Sequence, residues 1–245
     1  GLRLMGKNWI SAMARNYASS TNIILGFCAY GHHKGFFHKL VAYDNLITGL
    51  QYISSALTGN PYTGNGRNLS YRKDLFFAHK GYYKSLSLHA GDDDLFINES
   101  ATDQNTWVEY SPESITEMAK IDRFSMWKEM KVSRAATQRY YKGWNLTFFR
   151  MESLSYFLFF IAVIASILMG ILGNWLISIL AGLLYIIRFS TKATILHKSA
   201  KLLQQKPVTG WLFLLELLLP LFNLYVRIYR IFRGKNDYTF RLGNK

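Results

Sequence analysis

The chain divides into two stretches by its pattern of apolar and polar positions. Up to about residue 120, short apolar runs alternate with helical periods. Residues 21–30, Thr-Asn-Ile-Ile-Leu-Gly-Phe-Cys-Ala-Tyr, form a β-branched, apolar run between Ser19-Ser20 and Gly31, which predicts a buried strand. Asn8-Trp9-Ile10 marks a helix start, and Gly31-His32-His33-Lys34-Gly35 reads as a loop. Over 36–58, Leu40, Tyr43, Ile47, Leu50, Ile53 or Ser54, and Leu57 recur at helical spacing, and Gly59-Asn60-Pro61 stops that helix. Short strands are predicted at 67–72 and 107–110. Helix starts are predicted at Lys73 and near Pro112, and a helix over 123–144. There are no internal repeats. Strands alternating with helices over 1–120 predict part of an α/β layer.

Then the pattern changes. No charged residue occurs from 153 to 187. One straight helix of that length would be about 50 Å long, against a hydrocarbon core of about 30 Å. Gly173-Asn174 supplies a turn, so the stretch predicts a transmembrane hairpin, 153–172 and 175–191, with Tyr156, Trp175 and Tyr185 suited to interfaces. Residues 188–206 carry Lys192, Lys198, Lys201 and Lys206 and read as a basic loop on the cytoplasmic side. Residues 207–232 are apolar but contain Glu216 and Pro220, and a basic tail follows. A full third span would put that tail outside. The segment is therefore expected to break at Pro220 and to be re-entrant or interfacial, a complete span being the alternative.

Composition sharpens this picture. The 245 residues are 50% hydrophobic and 16% aromatic, with a formal charge of +14. A basic excess suits nucleic acid, an anionic membrane face or a phosphorylated substrate. Here the positive charge gathers beside the apolar segments, where lipid headgroups explain it, and a nucleic-acid partner is not expected. The lone Cys28 rules out an internal disulfide and reads as a small buried hydrophobe. His32, His33 and His38 have no carboxylate or Cys at ligand spacing and are assigned no role. Met118, Met126 and Met130 read as core or interface. Sequons at Asn68, Asn98 and Asn145 are read as chance. The sequence begins as if in mid-domain.

Candidate chemistry concentrates in residues 59–98. A glycine-rich turn leads into a polar strand, and Gly91-Asp92-Asp93-Asp94-Leu95-Phe96 follows. Three adjacent acids repel one another, which marks them as a candidate site. They equally suit a solvated turn or a helix N-terminus. Strand alternation sends Arg67 and Leu69 to one face and Asn68 and Ser70 to the other, so not all of these line one cleft.

The Gly-Arg-Asn-x-x-Tyr-Arg-Lys strand at 66–73, the aromatic Leu75-Phe76-Phe77, Gly81-Tyr82 and Gly-Asp-Asp-Asp-Leu-Phe at 91–96 resemble the acceptor-side half of a bacterial membrane-anchored family 2 glycosyltransferase. A basic, aromatic helix and membrane helices follow in the same order, so the resemblance covers nearly the whole chain. It implies an α/β fold, a partial nucleotide-sugar (GT-A-like) domain followed by transmembrane helices. The implied parts are the acceptor-side half at 1–122, an amphipathic interface helix at 123–152, the hairpin at 153–191, and a basic loop, third apolar segment and tail at 192–245.

The resemblance also implies an inverting transfer from a nucleotide-sugar donor to a lipid-linked or cell-surface glycan, at the cytoplasmic face of the membrane. An aspartate takes the acceptor proton, and Mg²⁺ or Mn²⁺ neutralises the departing diphosphate. Asp93 stands where the family has its base, with Asp92 as the alternative register. Asp92-x-Asp94 also spells the family's metal motif, but that motif should precede the base by a large part of the domain. The donor half and the metal ligands are expected upstream, outside this sequence. Gly66, Arg67, Asn68, Arg72 and Asp94 are the expected substrate contacts. The family's Gln-x-x-Arg-Trp motif has no clean copy. Trp127 to Arg134 is nearest in position, with Lys131 and Arg134 offering cations to a diphosphate, and Gln138 to Trp144 is a looser match. That departure favours a non-processive enzyme. The alternative from another class is a non-catalytic membrane scaffold or partner subunit of a glycan-synthesis complex.

Overall fold

The structure is a computed structural model that describes residues 2–83 and 91–232. It is mixed α/β, with two small sheets and three helices long and apolar enough to cross a membrane. The predicted 21–30 strand is two strands, β2 (Ile23–Gly26) and β3 (Cys28–Tyr30), and both are buried throughout. Phe27 separates them, and they enter different sheets. In one, β2 lies between β4 (Leu69–Tyr71), antiparallel, and β5 (Thr106–Glu109), parallel. In the other, β6 (Thr116–Met118) lies between β1 (Leu2–Leu4), antiparallel, and β3, parallel. Polar Thr116 and Glu117 hid β6 from the apolar pattern.

The long helix α2 (Phe36–Leu57) covers both sheets. It is buried more widely than one stripe: Val41, Ala42, Leu46 and Gly49 are enclosed, whereas Leu57 is exposed. Gly49 makes room for Phe27, since a Cβ there would lie 2.2 Å from the Phe27 ring. Each buried Ile or Leu of β2 contributes about 2 kcal/mol of burial, which is why this run lies at the centre. Helix α1 (Trp9–Ala14) starts where Asn8 predicted, and α3 (Lys73–Ala78) follows β4. Near Pro112 there is only a 3₁₀ turn, Pro112–Ser114.

The predicted 123–144 helix stops early. Helix α5 (Phe124–Thr137) passes into a 3₁₀ turn, Gln138–Tyr140, and Gly143 takes a left-handed φ of +96° before α6 (Asn145–Leu172) begins. Helix α5 and the first long helix therefore meet at a turn. Helix α6 pairs with α7 (Trp175–Leu202) as the predicted hairpin. The Asn174 side chain accepts a hydrogen bond from the Leu176 amide at 3.1 Å and caps α7. Gly170 lets the two helices touch, because a Cβ there would lie 2.1 Å from Ser178 Oγ.

Two expectations for the carboxyl-terminal part fail. The basic 188–206 segment is not a loop. Helix α7 runs through it to Leu202, because Phe189, Ala193, Leu196, Ala200 and Leu203 recur at helical spacing and pack into the core. Gln205 then accepts from Tyr30 N and Asn45 Nδ2 and donates to Ala42 O, tying the chain back to β3 and α2. Nor does the third segment break at Pro220. Helix α8 (Leu212–Phe232) continues through it. Proline removes the N–H that would bond the carbonyl four residues earlier, that of Glu216. The Tyr156 hydroxyl of α6 donates to that carbonyl at 2.7 Å instead. One face of α8, Leu212, Leu215 and Leu219, is buried in the core, and Phe222 stacks on Trp127 of α5 at 4.3 Å. Its other face, including Phe213, Leu221 and Ile228, is exposed. The basic tail from 233 onward lies outside the described residues.

Candidate active site

The three aspartates form the first turn of α4 (Asp92–Ser100), and each has a different environment. Gly91 precedes them at φ +97°, and a Cβ there would lie 2.2 Å from Thr137 Cγ2, so conformation and space both call for glycine. Asp92 is exposed, Asp93 half-buried and Asp94 buried. Gly66, in the turn before β4, donates its amide to Asp93 Oδ2 at 2.6 Å. Asp94 accepts from Thr137 Oγ1 at 3.1 Å and from the Tyr141 hydroxyl, which also meets Thr63 at 3.1 Å. Asp94 thereby joins α4 to the end of α5 and to the glycine-rich turn.

Gly66, Leu69, Tyr71, Tyr82, Asp92 and Asp93 line an open cleft of about 400 Å³. The Tyr71 and Tyr82 hydroxyls are 2.7 Å apart, and Phe76 and Phe96 pack behind them. Burial raises the proton affinity of Asp93, and the charge of Asp94 adds to it. The Gly66 and Asp94 amides and the Arg134 guanidinium oppose the rise without cancelling it. Arg134 is exposed and lies close enough to Tyr141, Asp94 and Asp93 for its charge to act on all three. Burial, reinforced by the Asp94 charge, holds the Tyr141 hydroxyl protonated well above its usual range.

The residues singled out in the sequence divide between two faces. Asn68, Ser70 and Arg72 share one side of the extended segment, as alternation requires. That side meets α1 and the loop after it. Asn68 is buried, donates to the carbonyls of Phe27 and Ser114, both at 2.7 Å, and accepts from Trp9 Nε1 at 3.0 Å. Arg72 donates to the carbonyls of Thr21 and Ala18, both at 2.9 Å. Both hold the scaffold, not the cleft. Arg67, in the turn before β4, is exposed and is not among the residues that line the cleft. Lys131 is paired with Asp44 of α2 and sits over the Trp127 ring. Thus Gly66, Asp92, Asp93, Asp94 and Arg134 come together, while Asn68, Arg72 and Lys131 do not join them.

Tyr71 and Tyr82 stand in the motifs quoted above without a site role, and Thr137 and Tyr141 were given none either. Tyr71 was findable, lying two residues past Leu69 on the same face. Tyr141 was not, because its contact with Asp94 depends on the turn after α5. The α4 carboxylates do not converge on one point: Asp93 meets the Gly66 amide and Asp94 meets Thr137 and Tyr141. Among the described residues no three His, Cys, Asp or Glu side chains gather as a metal-ligand set. No protein-family model matches the sequence and no curated protein matches it.

Proposed function

We propose that this chain is the acceptor-side part of a membrane-anchored inverting glycosyltransferase, which moves a sugar from a nucleotide-sugar donor to a lipid-linked or cell-surface glycan. The observation that carries this reading is the Asp93 carboxylate. It is half-buried, raised in proton affinity, and set in an open cleft with two tyrosines. A base so tuned accepts a proton more readily than an ordinary exposed aspartate. The acceptor hydroxyl oxygen attacks the anomeric carbon, its proton passes to Asp93, and the bond to the diphosphate breaks. Tyr71 and Tyr82 offer ring surface and hydroxyls to an acceptor sugar. Arg134 supplies positive charge on the same side, suited to the departing diphosphate. The divalent cation implied by the resemblance would help neutralise that diphosphate, but the α4 carboxylates do not form a set to hold it.

The α6–α7 hairpin anchors the site at the cytoplasmic membrane, with α8 lying along the surface. An interfacial α8 keeps the basic residues of α7 and the Arg227 and Arg230 end of α8 on one face, as the positive-inside rule asks. One observation favours the scaffold instead: Asp93 and Asp94 both already accept hydrogen bonds that stabilise the turn. The test is release of nucleoside diphosphate from a panel of nucleotide sugars by the full-length native protein in membranes. Asp93→Asn should lower turnover by about 10²-fold or more, and Asp92→Asn by less. Unchanged turnover in both variants removes the base assignment. Glycan binding without turnover on any donor supports the scaffold.

A further inference from the structure

A second polar centre lies where α6, α7 and α8 meet. Glu216 of α8 is 99% buried, and its Oε1 accepts from Arg188 Nη1 and Lys192 Nζ of α7, each at 2.9 Å. The guanidinium sits over Tyr156 and Phe159 at 4.9 and 4.8 Å, and the ammonium over Tyr156 at 5.2 Å. Two cations share one carboxylate, so one positive charge is unmatched. Glu152, one turn before Tyr156 on α6, forms no ion pair among the described residues. The Arg188 and Lys192 side chains remain 27% and 29% exposed, beside lipid-type surface such as Ile187. Glu216 Oε2 is buried and has no hydrogen-bond partner among the described residues.

Depth adds an independent constraint. From Trp175 to Arg188 the helix rises about 20 Å, less than the hydrocarbon thickness of about 30 Å. A hairpin whose tip reaches the far side therefore puts Arg188 and Lys192 in the near leaflet, below its headgroups. An unmatched cation there is costly unless an anion meets it. Arginine has further donors after its bond to Glu216, in the planar fork that suits phosphate oxygens, and Lys192 has two more.

We propose that Arg188 and Lys192, held in place by Glu216, bind the phosphate of an anionic phospholipid at the base of the hairpin. This rests on the membrane reading of α6 and α7 and is independent of glycosyl transfer. The test is native mass spectrometry of the full chain in a neutral detergent, titrated with dioctanoyl phosphatidic acid or dioctanoyl phosphatidylcholine. Phosphatidic acid should bind about tenfold more tightly or better. Lys192→Gln leaves a one-to-one Arg188–Glu216 pair, removes the excess charge, and should erase that preference. The charge-free triple variant Arg188→Met, Lys192→Met, Glu216→Leu, which leaves no carboxylate stranded, should erase it too. Equal binding of the two lipids by the wild type, or a preference kept in both variants, overturns the proposal. Displacement by equimolar inorganic phosphate assigns the site to the free ion and overturns the lipid.

Discussion

The Gly66 amide donates to the Asp93 carboxylate at 2.6 Å, and a Cβ on residue 66 would stand 2.1 Å from that same oxygen. The glycine-rich turn and the first turn of α4 are thus fitted to each other at one point, 27 residues apart in the chain. Gly66→Ala must move either the turn or the carboxylate. Under the proposed role of Asp93 as base, displacing it by about 1 Å is enough to cost about 10²-fold. We expect that loss of turnover with little change in melting temperature, measured on the full-length protein in membranes.

The raised proton affinity of Asp93 is also a statement about stability. A carboxyl whose pKa is raised on folding binds its proton more tightly in the folded state. Its contribution therefore falls as pH rises from the ordinary carboxylate range through the raised value. Asp93→Asn, which cannot ionise, should melt no lower than wild type at neutral pH even as the proposed turnover falls. The difference should shrink once the pH is below the ordinary carboxylate range. Glu109 is the opposite case. Burial pushes it up, but the Ser111 hydroxyl and amide, Asn16 and Arg15 outweigh burial and hold it below its usual range. Its stabilisation is present above the ordinary range and is lost on acidification. Thermal melts across pH of wild type, Asp93→Asn and Glu109→Gln separate the two signs.

Asn68 and Arg67 are neighbours with opposite expected behaviour. Asn68→Ala removes donors from two buried carbonyls and the acceptor from Trp9 Nε1. Unmet polar groups of this kind cost about 3 kcal/mol in total. Arg67→Ala, on the exposed side of the same segment, should change stability by about 0.5 kcal/mol or less. Chemical denaturation in detergent measures both.

Tyr156 and Pro220 should be coupled. Tyr156→Phe strands the Glu216 carbonyl that Pro220 leaves without a backbone donor, at a cost of about 1–2 kcal/mol. In a Pro220→Ala background the helix supplies its own N–H, and Tyr156→Phe should be nearly neutral. A double-mutant cycle on melting temperature reads the coupling directly. Additive effects would mean that the Tyr156 bond does not substitute for the missing helical one.

The exposed apolar surface of α6 and α7, with residues such as Leu158, Ile164, Leu180 and Ile187 uncovered, predicts stable membrane association. The protein should sediment with membranes through high-salt and alkaline washes and be released by detergent. Release by salt alone would mean that charge, not the hairpin, holds it there.

The chain alone fixed what depends on periodicity and local turn chemistry. The uncharged 153–187 stretch with Gly173-Asn174 at its middle predicted the hairpin. The 21–30 run identified the core. These features act over a few residues, where the pattern and the backbone preference point the same way. Tertiary packing decided the rest. Nothing local says that Phe27 divides one apolar run between two sheets, or that Asn68 bonds Trp9 while Tyr71 meets Tyr82. The lysines at 192, 198 and 201 obscured the helical period of Phe189, Ala193, Leu196 and Ala200, which becomes legible only against the core that covers it. Pro220 broke the third segment in the sequence because its lost hydrogen bond had no visible replacement. The replacement comes from Tyr156, 60 residues from Glu216 and on another helix, and only the folded chain brings the two together.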